Sequence, residues 1–246
     1  MRTVILHYHL FKNAGTSMDA TLNRNFPGDL WVTREFSSDP NTNAEQLKQW
    51  ITDEPQAICF SSHTAFLPPP EVEGITIIPV IFMRHPIDRI VSAYSFERNQ
   101  GADNFGSTLA RNTTLSGYIE TRLAMPNDHQ CRNFHVEKFS RMFGKGDNPT
   151  QRLVNAKKAI EALPFVGDVG DFDNSIKRLE VLLKDNGVEV DLTAEKKNVS
   201  RQPKTIDEKL QSLHESMGDE LYEKLMAANK EDLELYEFLI AKDTAV

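Results

Sequence analysis

Lys12-Asn13-Ala14-Gly15-Thr16-Ser17 follows an apolar stretch, VILHYHL at 4–10, and opens onto a segment that reads as a helix. These residue types in this order suit an anion. Gly15 allows close approach of backbone N–H groups, and Thr16 and Ser17 add hydroxyl donors. A helix start supplies unpaired N–H groups and the positive end of its dipole, and Lys12 adds a full charge. The chemistry indicated is a phosphate or sulfate cradle. The plainer alternative is a strand-to-helix turn that happens to carry lysine, glycine and two hydroxyls.

The loop is not a Walker A motif. That pattern places its lysine directly after a second glycine, whereas Lys12 precedes Gly15 and no earlier glycine exists in the chain. A second constellation lies in Arg84-His85-Pro86-Ile87-Asp88-Arg89-Ile90-Val91-Ser92-Ala93-Tyr94, after the apolar run ITIIPVIFM at 75–83. Arg84 falls at the C-terminal end of a predicted strand, where open α/β sheets bind ligands. Ser92 follows two helical turns on, so the guanidinium and the hydroxyl can reach one phosphate.

These residues need elements to hold them. Strands are expected over 3–10, 30–36, 56–61, 75–83 and 165–167. Pro79 removes a ladder donor, so pairing of the fourth strand is expected only over 80–83. Helices are expected over 16–25, 43–52, 86–98, 151–162, 173–185, 207–227 and 230–241, with Asp171 or Asp173 capping the fifth. Residues 100–150 read as a loop-rich insertion with short helices near 115–124 and 131–143, of the kind that covers a substrate cleft. Strands alternating with helices imply an α/β fold, a mainly parallel sheet flanked by helices in three layers. The expectation is one domain over 1–246.

Composition narrows the partners. The chain has 246 residues, 39% hydrophobic and 26% charged, with a net charge of −8. That acidity argues against nucleic acid as the main partner. No run approaches the roughly 18 apolar residues of a membrane span. Two cysteines, Cys59 and Cys131, give neither a disulfide framework nor metal-ligand spacing. With the start read as a strand and not a cleavable signal, the expected compartment is the cytoplasm.

The pair K-N-A-G-T-S and R-H-P-x-x-R-x-x-S-x-Y, each after a strand, resembles the sulfotransferases that use 3′-phosphoadenosine 5′-phosphosulfate (PAPS). The likeness is greatest to the carbohydrate branch that includes the uronosyl 2-O type. It extends to Phe165-Val166-Gly167, Asn198-Val199-Ser200 and Asn229-Lys230-Glu231-Asp232. The resemblance implies that Lys12, Asn13, Ala14, Gly15, Thr16 and Ser17 hold the 5′-phosphosulfate, and that Arg84 and Ser92 hold the 3′-phosphate. It implies that a loop containing Ser200 and Arg201 crosses the nucleotide. His63, in S-S-H-T-A-F, matches the branch's catalytic histidine, and an imidazole titrates where a general base must. The branch carries a second histidine two positions earlier, where this chain has Ser61. Glu97 is the reserve base, because other sulfotransferases use a glutamate.

Lys12 would then neutralise charge developing on the departing nucleotide. A sulfuryl group carries less negative charge than a phosphoryl group, so lysine and backbone dipoles can stand in for Mg²⁺, and no metal is called for. The expected acceptor is a hydroxyl on a glycan or small metabolite; a heavily sulfated polymer suits an acidic chain poorly. His7 and His9 read as core or rim residues of the first strand, with His9 close enough to the loop to touch a ligand, and Asp128, His129 and Arg132 as an acceptor-side cluster or a solvated loop. Two other readings stand beside this one: an ATP-dependent small-molecule kinase, and a nucleotide-binding module without catalysis.

Overall fold

A computed structural model describes residues 2–193 and 205–244. Strands β1 (Arg2–Tyr8), β2 (Trp31–Thr33), β3 (Cys59–Ser62), β4 (Ile75–Met83) and β5 (Val166–Asp168) form one parallel sheet in the order β2-β3-β1-β4-β5. Helices α1 (Gly15–Asn25), α2 (Pro40–Asp53), α3 (Pro86–Asn99), α4 (Phe105–Asn112), α5 (Leu115–Leu123), α6 (Phe134–Phe139), α7 (Pro149–Ala162), α8 (Phe172–Asp185), α9 (Ile206–Met217), α10 (Asp219–Ala228) and α11 (Lys230–Thr244) surround it.

Period-two alternation along β1 builds the layers. Val4, Leu6 and Tyr8 pack on one face with Trp50 and Ile51 of α2, Ile160 of α7 and Leu235 of α11. Ile5 packs on the other with Met18 and Leu22 of α1 and Leu179 and Leu183 of α8. The expected three-layer α/β architecture is therefore the observed one. A third apolar cluster joins Ile87 and Ile90 of α3 to Tyr118 and Ile119 of α5 and to Leu225 of α10.

The chain places β2 and β3 on one side of β1, then crosses to place β4 and β5 on the other. Connections diverge at such a point and leave a crevice at the strands' C-terminal ends. The segments after β1, β3 and β4 meet there.

Several local expectations are corrected. β4 pairs with β1 from Ile75 to Ile81, Pro79 included, because β5 flanks only Ile81–Met83 and the β5 side of the strand is open at Pro79. Residues 100–150 hold α4 in addition to the short helices expected near 115–124 and 131–143, which are α5 and α6 with a 3-10 turn at Ser140–Phe143. The helix expected over 207–227 is two, broken at Gly218, whose φ of 78° departs from helical backbone. Asp171 occupies the N-cap of α8, but its side chain makes no capping hydrogen bond.

Candidate functional site

The loop after β1 turns sharply into α1. Lys12 and Ala14 adopt φ of 63° and 61°, a left-handed conformation unusual outside glycine. Ala14 is the N-cap of α1 and offers no side-chain acceptor; the Ser17 amide donates to the Ala14 carbonyl at 3.0 Å, and the Gly15 and Thr16 amides at the helix start suit an anion. Thr16 and Ser17 are exposed at this end. Gly15 is required for another reason than the one anticipated: a Cβ there would collide with the ring of His9.

Asn13 works from behind the loop. It is buried, its Nδ2 donates to the Phe11 carbonyl at 3.0 Å, and its Oδ1 accepts from the Arg84 amide at 2.7 Å and lies 2.9 Å from His135 Nε2. His135 is fixed in turn by Asp232, whose Oδ2 lies 3.1 Å from Nδ1 and also accepts the His135 amide at 2.9 Å. The loop's backbone is thus tied to the end of β4 and to α11.

Around the loop lies a cleft with two lobes. One, of about 430 Å³, is lined by His9, Phe11, Lys12, Ala14, Gly15, Thr16, Ser17, His63, Arg84 and Phe96. The other, of about 510 Å³, is lined by Lys12, Arg84, Asp88, Val91, Ser92, Ser95, Phe96, Asn99 and Gln100. Lys12, Arg84 and Phe96 border both. The Lys12 ammonium sits 4.3 Å from the centre of the Phe96 ring, a cation–π contact that holds it between the lobes. Burial, and then the positive charge of Arg84, pull Lys12 below the usual lysine range. Lys12 makes no ion pair among the described residues, so an anion in the cleft would meet an unpaired ammonium. Arg84 Nη1 pairs with Asp88 at 3.3 Å.

His63 follows β3 directly and is exposed on the first lobe. Its amide donates to Glu35 Oε1 at 3.4 Å, and its ring rests on that of His9 with centroids 3.8 Å apart. His9, expected at the core or rim and within reach of a ligand, is buried and lines the cleft, and its Nδ1 lies 2.6 Å from Asp19 Oδ2. Asp19 was not singled out in the sequence. Burial would raise its carboxyl, but hydrogen bonds from His7, His9 and Ser61 outweigh that and hold it well below the usual carboxylate range.

Glu97 is placed away from this chemistry. It is buried, with Oε2 accepting from Tyr118 Oη at 2.6 Å and from Arg122 Nη2 at 3.0 Å. A carboxylate so committed has no lone pair aimed at a substrate. Asp128 belongs to the same network, 2.6 Å from Arg122 Nη1. His129 and Arg132 line a separate cavity beside α6 with Asn133, Glu137 and Arg152. The second arginine of the motif, Arg89, is fully buried under Phe134 and donates to Gln130, so it braces the insertion. Ser200 and Arg201 lie outside the described residues.

With this geometry in hand, comparison with known proteins is decisive about the family. Residues 1–239 match the model of the sulfotransferase family. The chain belongs to the sulfotransferase family. It is also 40% identical over 247 residues to an uncharacterized protein of Archaeoglobus fulgidus (strain ATCC 49558), an alignment covering 97% of this chain and 96% of that one. Family membership supports sulfuryl transfer to a small-molecule or glycan acceptor in general terms. Among the described residues no helix is long and apolar enough to cross a membrane.

Proposed function

We propose that this sulfotransferase moves a sulfuryl group from PAPS to a hydroxyl of a glycan or small metabolite. The observation that carries this reading is the two-lobed cleft whose lobes share Lys12 and Arg84, from the segments after β1 and β4, and Phe96 of α3. A donor with phosphates at both the 5′ and 3′ positions needs two anion sites bridged by cations. The first-turn N–H groups of α1 with Thr16 and Ser17 suit the 5′-phosphosulfate, and Arg84 with Ser92 suits the 3′-phosphate. An ATP-dependent kinase has less need of the second lobe.

In this reading His63 takes the acceptor's proton as the hydroxyl oxygen forms its bond to sulfur. The bond from sulfur to the bridging oxygen breaks at the same time, and 3′,5′-ADP leaves carrying the electron pair. Lys12 stabilises the charge that develops on that oxygen. Asn13 and Gly15 act through shape, the first by fixing the loop to β4 and the second by making room for His9. The uronosyl 2-O branch and a glycan acceptor belong to this proposal, as does a cytoplasmic setting.

The test is release of 3′,5′-ADP from PAPS in the presence of neutral glycans and small alcohols. His63→Ala is expected to abolish acceptor-dependent release while keeping 3′,5′-ADP affinity within threefold. Full turnover by that variant would remove His63 from the base role.

A further inference from the structure

On β1 the side chains of Ile5 and His7 share the face covered by α1, and His9, one residue past the strand, continues that spacing. Asp19, in the second turn of α1, meets both imidazoles. Its Oδ1 lies 2.8 Å from His7 Nδ1 and accepts from Ser61 Oγ at 2.6 Å, while its Oδ2 lies 2.6 Å from His9 Nδ1. A carboxylate can only accept, so each Nδ1 carries the proton. With Nδ1 turned to Asp19, the Nε2 edge of the His9 ring lies against Gly15 and the cleft.

The face of the same ring supports His63. The His63 imidazole makes no hydrogen bond among the described residues; its contact is the His9 ring, 3.8 Å away and tilted by 40°. An exposed histidine without such a wall would exchange between rotamers. We propose that Asp19 and His9 are positioning residues for His63: Asp19 locks the orientation of His9, and His9 fixes the His63 ring toward the acceptor. This rests on the reading of His63 as the base.

Around the pair, Lys12 and Arg84 border the lobe, Glu35 faces the His63 backbone, and His7 and Asp19 lie behind His9. Asp232 and His135 show the same carboxylate–imidazole pairing on the far side of Asn13, but there it holds the loop and does not line the cleft.

The experiment uses the full chain with PAPS and water as the acceptor, followed by 3′,5′-ADP release, in wild type, His9→Gln, Asp19→Asn and His63→Ala. His9→Gln and Asp19→Asn are expected to lower kcat at least tenfold while KM for PAPS stays within threefold. Ring NMR of the wild-type protein should show a downfield, hydrogen-bonded Nδ1 proton on His9 and His63 ring protons displaced by a neighbouring ring. The His63 displacement should vanish in His9→Gln. If His63→Ala is inactive but both other variants keep kcat within twofold, the positioning role is overturned and the base assignment stands. Full turnover in His63→Ala instead overturns the base assignment. If a variant fails to fold, the wild-type spectrum decides: no protected His9 proton and an undisplaced His63 ring would overturn the proposal.

Discussion

Asn13 Oδ1 accepts a hydrogen bond from the Arg84 amide at 2.7 Å, joining the loop after β1 to the end of β4. That hydrogen bond ties the two halves of the cleft together. Replacing Asn13 by Ala leaves the Arg84 amide without its acceptor and removes the polar contact of His135 Nε2. The expected cost is about 2 kcal/mol of stability, from buried polar groups left unpaired. Affinity for 3′,5′-ADP should fall with it. Urea unfolding and calorimetric titration check both; unchanged affinity would show that the two lobes are not coupled.

Gly15→Ala tests the close approach of α1 to His9. The added Cβ meets a ring already held by Asp19, so it cannot be accommodated by a simple side-chain swing. Destabilisation of about 1–3 kcal/mol is expected, as for overpacking elsewhere. Thermal unfolding measures it, and a variant as stable as wild type would contradict the packing described.

Glu97→Ala separates structure from chemistry. It removes a buried acceptor from Tyr118 and one of two carboxylates from Arg122. The expected loss is about 3 kcal/mol, in the range for breaking a buried pair, with 3′,5′-ADP affinity retained. Normal stability together with lost turnover would return Glu97 to consideration as a base.

The parts of this site that were legible in the sequence are those fixed by local pattern. Apolar stretches 4–10 and 75–83 mark central strands, and residues just past their ends fall at the crevice by topology alone, which is how Lys12 and Arg84 were found. The seclusion of Glu97, the reserve base, was not legible because it depends on Tyr118 and Arg122, 21 and 25 positions later. Asp19 was missed because an aspartate on an amphipathic helix looks like surface. The available signal was His7 and His9 alternating on a buried strand, since buried imidazoles need partners. Pairing across Pro79 depends on how little of β4 is flanked by β5, which no local pattern states.

Acid should weaken the fold before it protonates carboxylates. Burial pushes His85 down to about 4, and burial also lowers His7. A folded-state value below the unfolded value near 6.5 means that the unfolded chain binds the proton first. Stability contributed by neutral His85 is therefore present above about 6.5 and is lost as pH falls toward 4. Urea midpoints at pH 7, 5.5 and 4.5 should decline in that order, and His85→Asn should flatten the decline. An identical slope in the variant would show that other groups set it.

The central claim is that one cleft binds a nucleotide with phosphates on both ends of the ribose. It is tested most directly by thermal stabilisation with 3′,5′-ADP against ADP with Mg²⁺, on wild type and Arg84→Ala. At a ligand concentration of roughly one hundred times Kd, binding adds about 2.7 kcal/mol, or about 5–10 °C in Tm for a chain of this size. The expected result is a rise of that order with 3′,5′-ADP, little with ADP and Mg²⁺, and loss of the 3′,5′-ADP effect in Arg84→Ala. Greater stabilisation by ADP with Mg²⁺ would contradict the account.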